Sequence, residues 1–211
     1  MKLILKTLLP LCIIPLLISC KSSHLNAYEK HKDDKNYIPG HIIDLKGNRT
    51  DGLVHYDGFL PSTDIIVFIT EKGERNVYPV GALKSYGFSY RNFISDGNMF
   101  FEIVRDGKKA GLYKITNVKE KSAPRGGDYN SNGKYLRAGR IKPEDRDYYD
   151  VFYVKKSTDT SFKRFRKASF KHRFSKYFSD CDLIKTKIKK KEYTSRDFDE
   201  IVFVYNSNAC D

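Results

Sequence analysis

The sequence predicts an α+β fold: a curved antiparallel β-sheet, or a small barrel-like β domain, followed by about three short C-terminal helices. Two patterns carry this reading. From Ile38 to Lys156, short β-branched and aromatic runs alternate with turns rich in Gly, Asp and Asn. Beyond Phe170 the apolar residues recur at helical spacing instead. Composition agrees, because 15 Tyr and 14 Phe supply the apolar bulk for a buried core.

The strands follow in order. "GHIIDLKGNRTDGLVHYDGF" holds two, about a Gly-Asn-Arg-Thr-Asp-Gly turn region. "DIIVFITEKGERNVYPV" holds two more about Glu-Lys-Gly-Glu. "ALKSYGFSYRNFIS" and "NMFFEIVRDGKKAGLYKIT" repeat the scheme, with Asp106-Gly107 as a hairpin signal. "YYDVFYVKK" is a further strand, closed by Ser157-Thr158-Asp159. Such runs form antiparallel sheets, and strong curvature limits their exposed edges. Residues 117–147 are poor in apolar side chains and too long for an ordinary connection, so they predict a mobile loop within a β domain spanning 38–165.

The helical part spans 166–211. Phe170, Phe174, Tyr177 and Phe178 fall at i, i+4, i+7 and i+8, with Lys171, Arg173 and Lys176 between them. That is one apolar stripe on a basic helix. "CDLIKTKIKKKEY" places Leu183, Ile184 and Ile188 on one side of a second helix. "TSRDFDEIVFVYN" opens with hydroxyl residues able to cap and puts Asp197 in the first turn. Phe198, Ile201, Val202 and Tyr205 follow at helical spacing.

The N-terminus sets the compartment. "MKLILKTLLPLCIIPLLISC" has Lys2 and Lys6, an apolar run from Leu8 to Ile18, then Ser19-Cys20. A basic start, a brief apolar core and a small residue before the cut describe an export signal. The core is shorter than the roughly 20 apolar residues of a membrane-spanning helix. Leu17-Ile18-Ser19-Cys20 has the form of a bacterial lipobox. Residues 1–19 are therefore expected to be a signal peptide, and Cys20 the lipidated first residue of a mature envelope lipoprotein, held by several acyl chains, most readily at the outer membrane. Residues 20–37 are polar and predict a flexible tether.

The whole chain carries a formal charge of +13. Once Cys12 has left with the signal and Cys20 is lipidated, Cys181 and Cys210 remain. Outside the cytosol two such cysteines form a disulfide more often than they persist as buried thiols, and both states are open at this stage.

The order of several short motifs resembles a group of uncharacterised secreted proteins and lipoproteins of Bacteroidetes. The carrying residues are Gly40-His41-Ile42-Ile43, Gly52-Leu53-Val54, Val67-Phe68, Tyr78-Pro79 and Gly87-Phe88. The strand pair "MFFEIVRDGKKAGLYKI" and the tail Phe178-Ser179-Asp180-Cys181, Tyr205-Asn206 and Cys210 complete the set. The chain departs from that group by one extra residue between Tyr205-Asn206 and the last cysteine, and by an insertion at 117–147. The resemblance implies an architecture and a compartment, and no active site.

Catalytic patterns are wanting. His24, His31, His41, His55 and His172 show no metal-ligand spacing, although His41 and His55 fall on neighbouring strands. Cys181 lies between Asp180 and Asp182, which opposes a thiolate. There is no Gly-x-Ser-x-Gly or phosphate-binding loop. No catalytic residue, metal or cofactor is therefore assigned, and the chain reads as a non-catalytic binding or structural module, with an unrecognised envelope enzyme as the further alternative.

The basic segment is the remaining candidate. From Lys163 to Lys191 there are twelve Lys or Arg against Asp180 and Asp182. Lys163, Arg164, Arg166, Lys167, Lys171 and Arg173 form its candidate partner face. Nucleic acid is not expected, because base stacking needs exposed aromatics and these lie on a stripe that a helix buries. Beyond the membrane reached through Cys20, the expected partners are another envelope protein or an anionic lipid or glycan.

Overall fold

The structure, a computed structural model, describes residues 26–56, 63–119 and 147–210. Cys20, the signal segment and most of the expected loop at 117–147 lie outside the described residues. The strands are β1 (Tyr37–Asp44), β2 (Arg49–His55), β3 (Ile65–Thr70), β4 (Arg75–Pro79) and β5 (Leu83–Phe88). They continue with β6 (Arg91–Ser95), β7 (Phe100–Arg105), β8 (Ala110–Lys119), β9 (Asp147–Lys156) and β10 (Lys163–Arg164). The helices are α1 (Ala27–His31), α2 (Phe170–Tyr177), α3 (Asp182–Lys189) and α4 (Phe198–Asn206).

All ten strands belong to one antiparallel sheet in the order β10-β9-β8-β7-β6-β5-β1-β2-β3-β4. The fold is α+β, with a curved, unclosed sheet followed by C-terminal helices. The curl brings the start of β3 back toward β7, where Phe100 N–H donates to the Thr63 carbonyl at 2.9 Å. Two glycines make tight strand approach possible. Gly40 and Gly52 face each other in the β1–β2 register. A Cβ on Gly40 would lie 2.3 Å from the Gly87 carbonyl oxygen, and one on Gly52 would lie 2.2 Å from that of Ile69. Only glycine lets neighbouring backbones come this near.

Alternation along the strands feeds separate cores. Ile42, Val54, Phe68, Leu83, Tyr86 and Phe93 fill the concave side of β1–β6. Tyr86 stacks on Phe93 with ring centroids 4.5 Å apart. The second core lies between the sheet and the helices. There Ala110, Leu112 and Val154 meet Phe174, Phe178 and Ile201. On the other face of β7–β9 a smaller group joins Phe101, Tyr113 and Ile115, covered by Phe162.

The helical stripe behaves as its spacing predicts at Phe170, Phe174 and Phe178, which are buried, with Tyr177 half-buried. Leu183 differs from expectation: it is 40% exposed, while Ile184 and Ile188 carry the buried side of α3. Position 183 faces outward because the eight-residue helix turns only its i, i+4 pair inward. Asp197 occupies the N-cap position rather than the first turn. Its carboxylate turns back and accepts from the Thr194 N–H and hydroxyl at 2.7 and 2.8 Å.

Two anchors fix α4 against β7 and β8. Arg105 donates to Asp199 at 2.5 and 2.7 Å near the start of the helix. At its end, Asn206 Oδ1 accepts from the Lys109 and Ala110 N–H groups at 2.8 and 3.1 Å. Its Nδ2 donates to the Ala110 carbonyl at 2.8 Å. Gly107 of the hairpin makes room, since a Cβ there would lie 2.3 Å from Asn206 Nδ2. Cys181 and Cys210 form a disulfide with Cα atoms 4.8 Å apart. Closing a 29-residue separation of this kind contributes about 3–4 kcal/mol through the unfolded chain.

The span read as a tether holds more order than its polar sequence suggests. Asn26 caps α1 by accepting from the Tyr28 N–H at 3.0 Å. Its Nδ2 donates to the Glu71 carbonyl in the β3–β4 turn at 3.3 Å. Gly73 of that turn has φ +88°, and a Cβ on it would collide with the Asn26 side chain. Tyr37 begins β1, and its ring lies between His31 and His55, at 4.5 and 5.0 Å.

Candidate functional site

The basic segment lines both sides of an open cleft. β9 ends at Lys156, and the chain turns through Ser157–Phe162 to form β10, where Lys163 and Arg164 pair with Val154 and Tyr153. Phe165 then dives into the core, its ring edge-on to Phe174 at 4.6 Å. A short 3-10 turn at Lys167–Ser169 leads into α2. A cleft of about 1380 Å³ lies between the strand and the helix.

Its cationic lining comes from both sides. Lys163, Arg164 and Arg166 line the strand side, and Arg173 and Lys176 the helix side, with His172 beside them. These five Lys and Arg side chains have no carboxylate partner among the described residues, whereas Lys156, which also lines the cleft, is paired with Asp180. Lys163 Nζ instead donates to the Ser161 hydroxyl at 3.1 Å. Asp159 is the one carboxylate in this predominantly cationic lining, and a concave lining of that kind concentrates the field more than a flat surface does.

Of the six face residues expected from sequence, Lys163, Arg164, Arg166 and Arg173 meet in this cleft. Lys171 is exposed on α2 but does not line it. The Lys167 side chain is outside the described residues. Lys176 and His172 join the cleft and were legible as helix neighbours of Arg173 at i+3 and i−1. Their convergence on β10 was not legible, because the strand hides within a run that looks uniformly basic.

Two acidic groups nearby are already committed. The Tyr177 hydroxyl donates to Asp159 in a very short hydrogen bond. The Lys156 N–H is shared between the Tyr177 hydroxyl at 3.0 Å and Asp159 at 3.2 Å. Burial, reinforced by Asp159, pushes the Tyr177 phenol far above its ordinary range. Lys156 Nζ meets Asp180, and the rings of Tyr177, Phe178 and Tyr205 surround it at 5.0, 5.3 and 4.8 Å. Tyr205 completes this cage by donating to Asp180 at 2.5 Å. Burial opposes the Asp180 charge, but the bonds from Lys156 and Tyr205 outweigh it and hold its carboxyl below the usual range.

The aromatic rings near the cleft are occupied as well. Phe162 stacks on Phe101 at 4.1 Å and meets Tyr113 edge-on at 4.7 Å. Lys155 lies over the Phe162 ring at 5.1 Å. What the cleft offers a ligand is therefore cationic hydrogen-bond donors rather than stacking surfaces.

His41 and His55 sit on adjacent strands, as the sequence suggests, but His41 is opposite Asp51 and His55 opposite Tyr37. Among the described residues no group of three His, Cys, Asp or Glu could hold a metal ion. No family model, curated protein or solved structure matches the chain.

Proposed function

We propose that this chain is a lipid-anchored envelope protein, held by acyl chains on Cys20, whose domain acts as a non-catalytic module binding an anionic glycan through the cleft between β10 and α2. The observation that carries the reading is the convergence of Lys163, Arg164, Arg166, Arg173 and Lys176 on one cleft without carboxylate partners among the described residues. Structural ion pairs would have consumed these charges, as Asp180 consumes Lys156 and Asp199 consumes Arg105. The cleft exceeds the roughly 300–1,000 Å³ of a small-molecule pocket, which suits several sugar units better than one compact anion. Its concavity disfavours a flat bilayer, against which these five groups could not all press together. The committed aromatic rings disfavour nucleic acid, which uses free rings as stacking platforms. The resemblance to secreted Bacteroidetes proteins supports the compartment and adds nothing on the ligand.

The experiment is salt-dependent binding of the domain to polygalacturonate and to lipopolysaccharide, with phosphatidylglycerol vesicles alongside. Glycan binding that weakens with salt and falls at least tenfold when Lys163, Arg164, Arg166 and Arg173 become Glu is the expected result. Glycan binding that survives the four substitutions overturns the assignment. Binding to the vesicles alone transfers the cleft to anionic lipid.

A further inference from the structure

The anchor point and the cleft lie toward opposite ends of β3. At one end, Asn26 is clipped to the β3–β4 turn by its bond to the Glu71 carbonyl, and its side chain fills the space left by Gly73. At the other end, Thr63 lines a hollow of about 420 Å³ together with Ile115, Tyr153 and Arg164. Arg164 is also part of the basic cleft. Eight residues of largely extended chain separate Thr63 from Glu71, a span of about 26 Å.

The covalent reach of the anchor is short. Six residues lead from Cys20 to Asn26, and at full extension they cover about 20 Å. Without the clip, the free chain would run to Tyr37, the first residue of β1, and its reach would be about 60 Å. The domain could then turn either end to the membrane. With the clip, the β3–β4 turn cannot leave the neighbourhood of the lipid.

We infer that the β3–β4 turn, with α1 clipped to it, faces the bilayer that holds the Cys20 lipid, and that the basic cleft opens away from that bilayer. The occupant of the turn face is the anchoring membrane, and the ligand of the cleft arrives from the aqueous side. The turn is not itself strongly basic, since Lys72 and Arg75 are balanced by Glu71 and Glu74. Orientation therefore comes from tether length and not from headgroup attraction. This inference rests on the lipid anchor of the proposed function.

The chain contains no Trp, so a single introduced Trp is a clean energy-transfer donor. Full-length lipidated protein carrying Lys72→Trp or His172→Trp is placed in vesicles with dansyl-labelled headgroups. Flotation with the vesicles and the mass of the Cys20 peptide report the anchor independently. The expected result is transfer several-fold stronger from position 72 than from position 172, with the difference abolished by Asn26→Ala. Equal transfer from the two positions in floating protein overturns the orientation and leaves the anchor standing. Protein that neither floats nor carries acyl chains overturns the anchor and the orientation with it.

Discussion

Lys156 Nζ lies 2.8 Å from each carboxylate oxygen of Asp180 and so ties the end of β9 to the turn between α2 and α3. Three rings enclose the ammonium, and its side chain is only 14% exposed. Lys156 is itself part of the lining of the basic cleft.

Lys156→Ala should therefore destabilise the helical side of the protein. A charge-assisted hydrogen bond and the cation–ring contacts are lost, while water reaches the half-exposed Asp180 and compensates part of the loss. The expected cost is about 1–3 kcal/mol, read as a lower urea midpoint. An unchanged midpoint would show that the pin contributes nothing.

Acid should act through the same group. The folded pKa of Asp180 lies below its unfolded value, so its stabilisation is complete above the ordinary Asp pKa of about 3.9 and is lost as pH falls through the folded pKa. Asp199 has the same sign, its carboxyl held down chiefly by the Arg105 hydrogen bond. Asp180→Asn combined with Asp199→Asn should flatten the stability–pH curve between about pH 5 and 2 relative to the parent. Parallel curves would assign the acid sensitivity to other carboxylates.

Asn206→Ala removes both acceptor bonds to the Lys109 and Ala110 N–H groups and both donor bonds to carbonyls. It should cost about 2–4 kcal/mol. Asn206→Asp keeps the accepted bonds and loses the donated ones, so chemical denaturation should rank it between the parent and the Ala variant. If Asp proves as costly as Ala, the accepted bonds do not hold the hairpin.

Gly40→Ala should destabilise by about 1–3 kcal/mol, because its Cβ meets backbone that cannot move alone. Gly81→Ala is the matched control: its Cβ would find only the Gly97 carbonyl oxygen, at an ordinary 3.6 Å. Thermal melts of the two variants should separate clearly, and coincident melts would remove close strand approach as the reason for Gly40.

Local pattern was enough for much of the fold. The β-branched runs marked nine of the ten strands, and the i, i+4, i+8 spacing of Phe170, Phe174 and Phe178 marked a buried stripe. β10 escaped notice because two residues carry no period of their own; they are a strand only through their pairing with β9. The insertion of β1 between β5 and β2 is equally non-local, since nothing near Ile42 names Tyr86 as its partner. α1 is set by Asn26 reaching a turn 45 residues away. Within the site, the basic residues could be read one by one, but their convergence could not. The tail motif was visible as letters, while the roles of Asp180, Tyr205 and Asn206 required their distant partners on β8 and β9.

The division between the two main cores has a consequence for the order of folding. The first core draws only on residues up to Phe100, so a growing chain possesses all its members before half of the sequence has been made. The second joins Ala110 to Tyr205, and Asn206 closes the β7–β8 hairpin across 96 residues. Synthesis from the N-terminus therefore delivers this domain in two instalments. The sheet's N-terminal half can bury its aromatics early, whereas Leu112 and Val154 remain uncovered until the last helix arrives. That interval is when the chain is most exposed to aggregation.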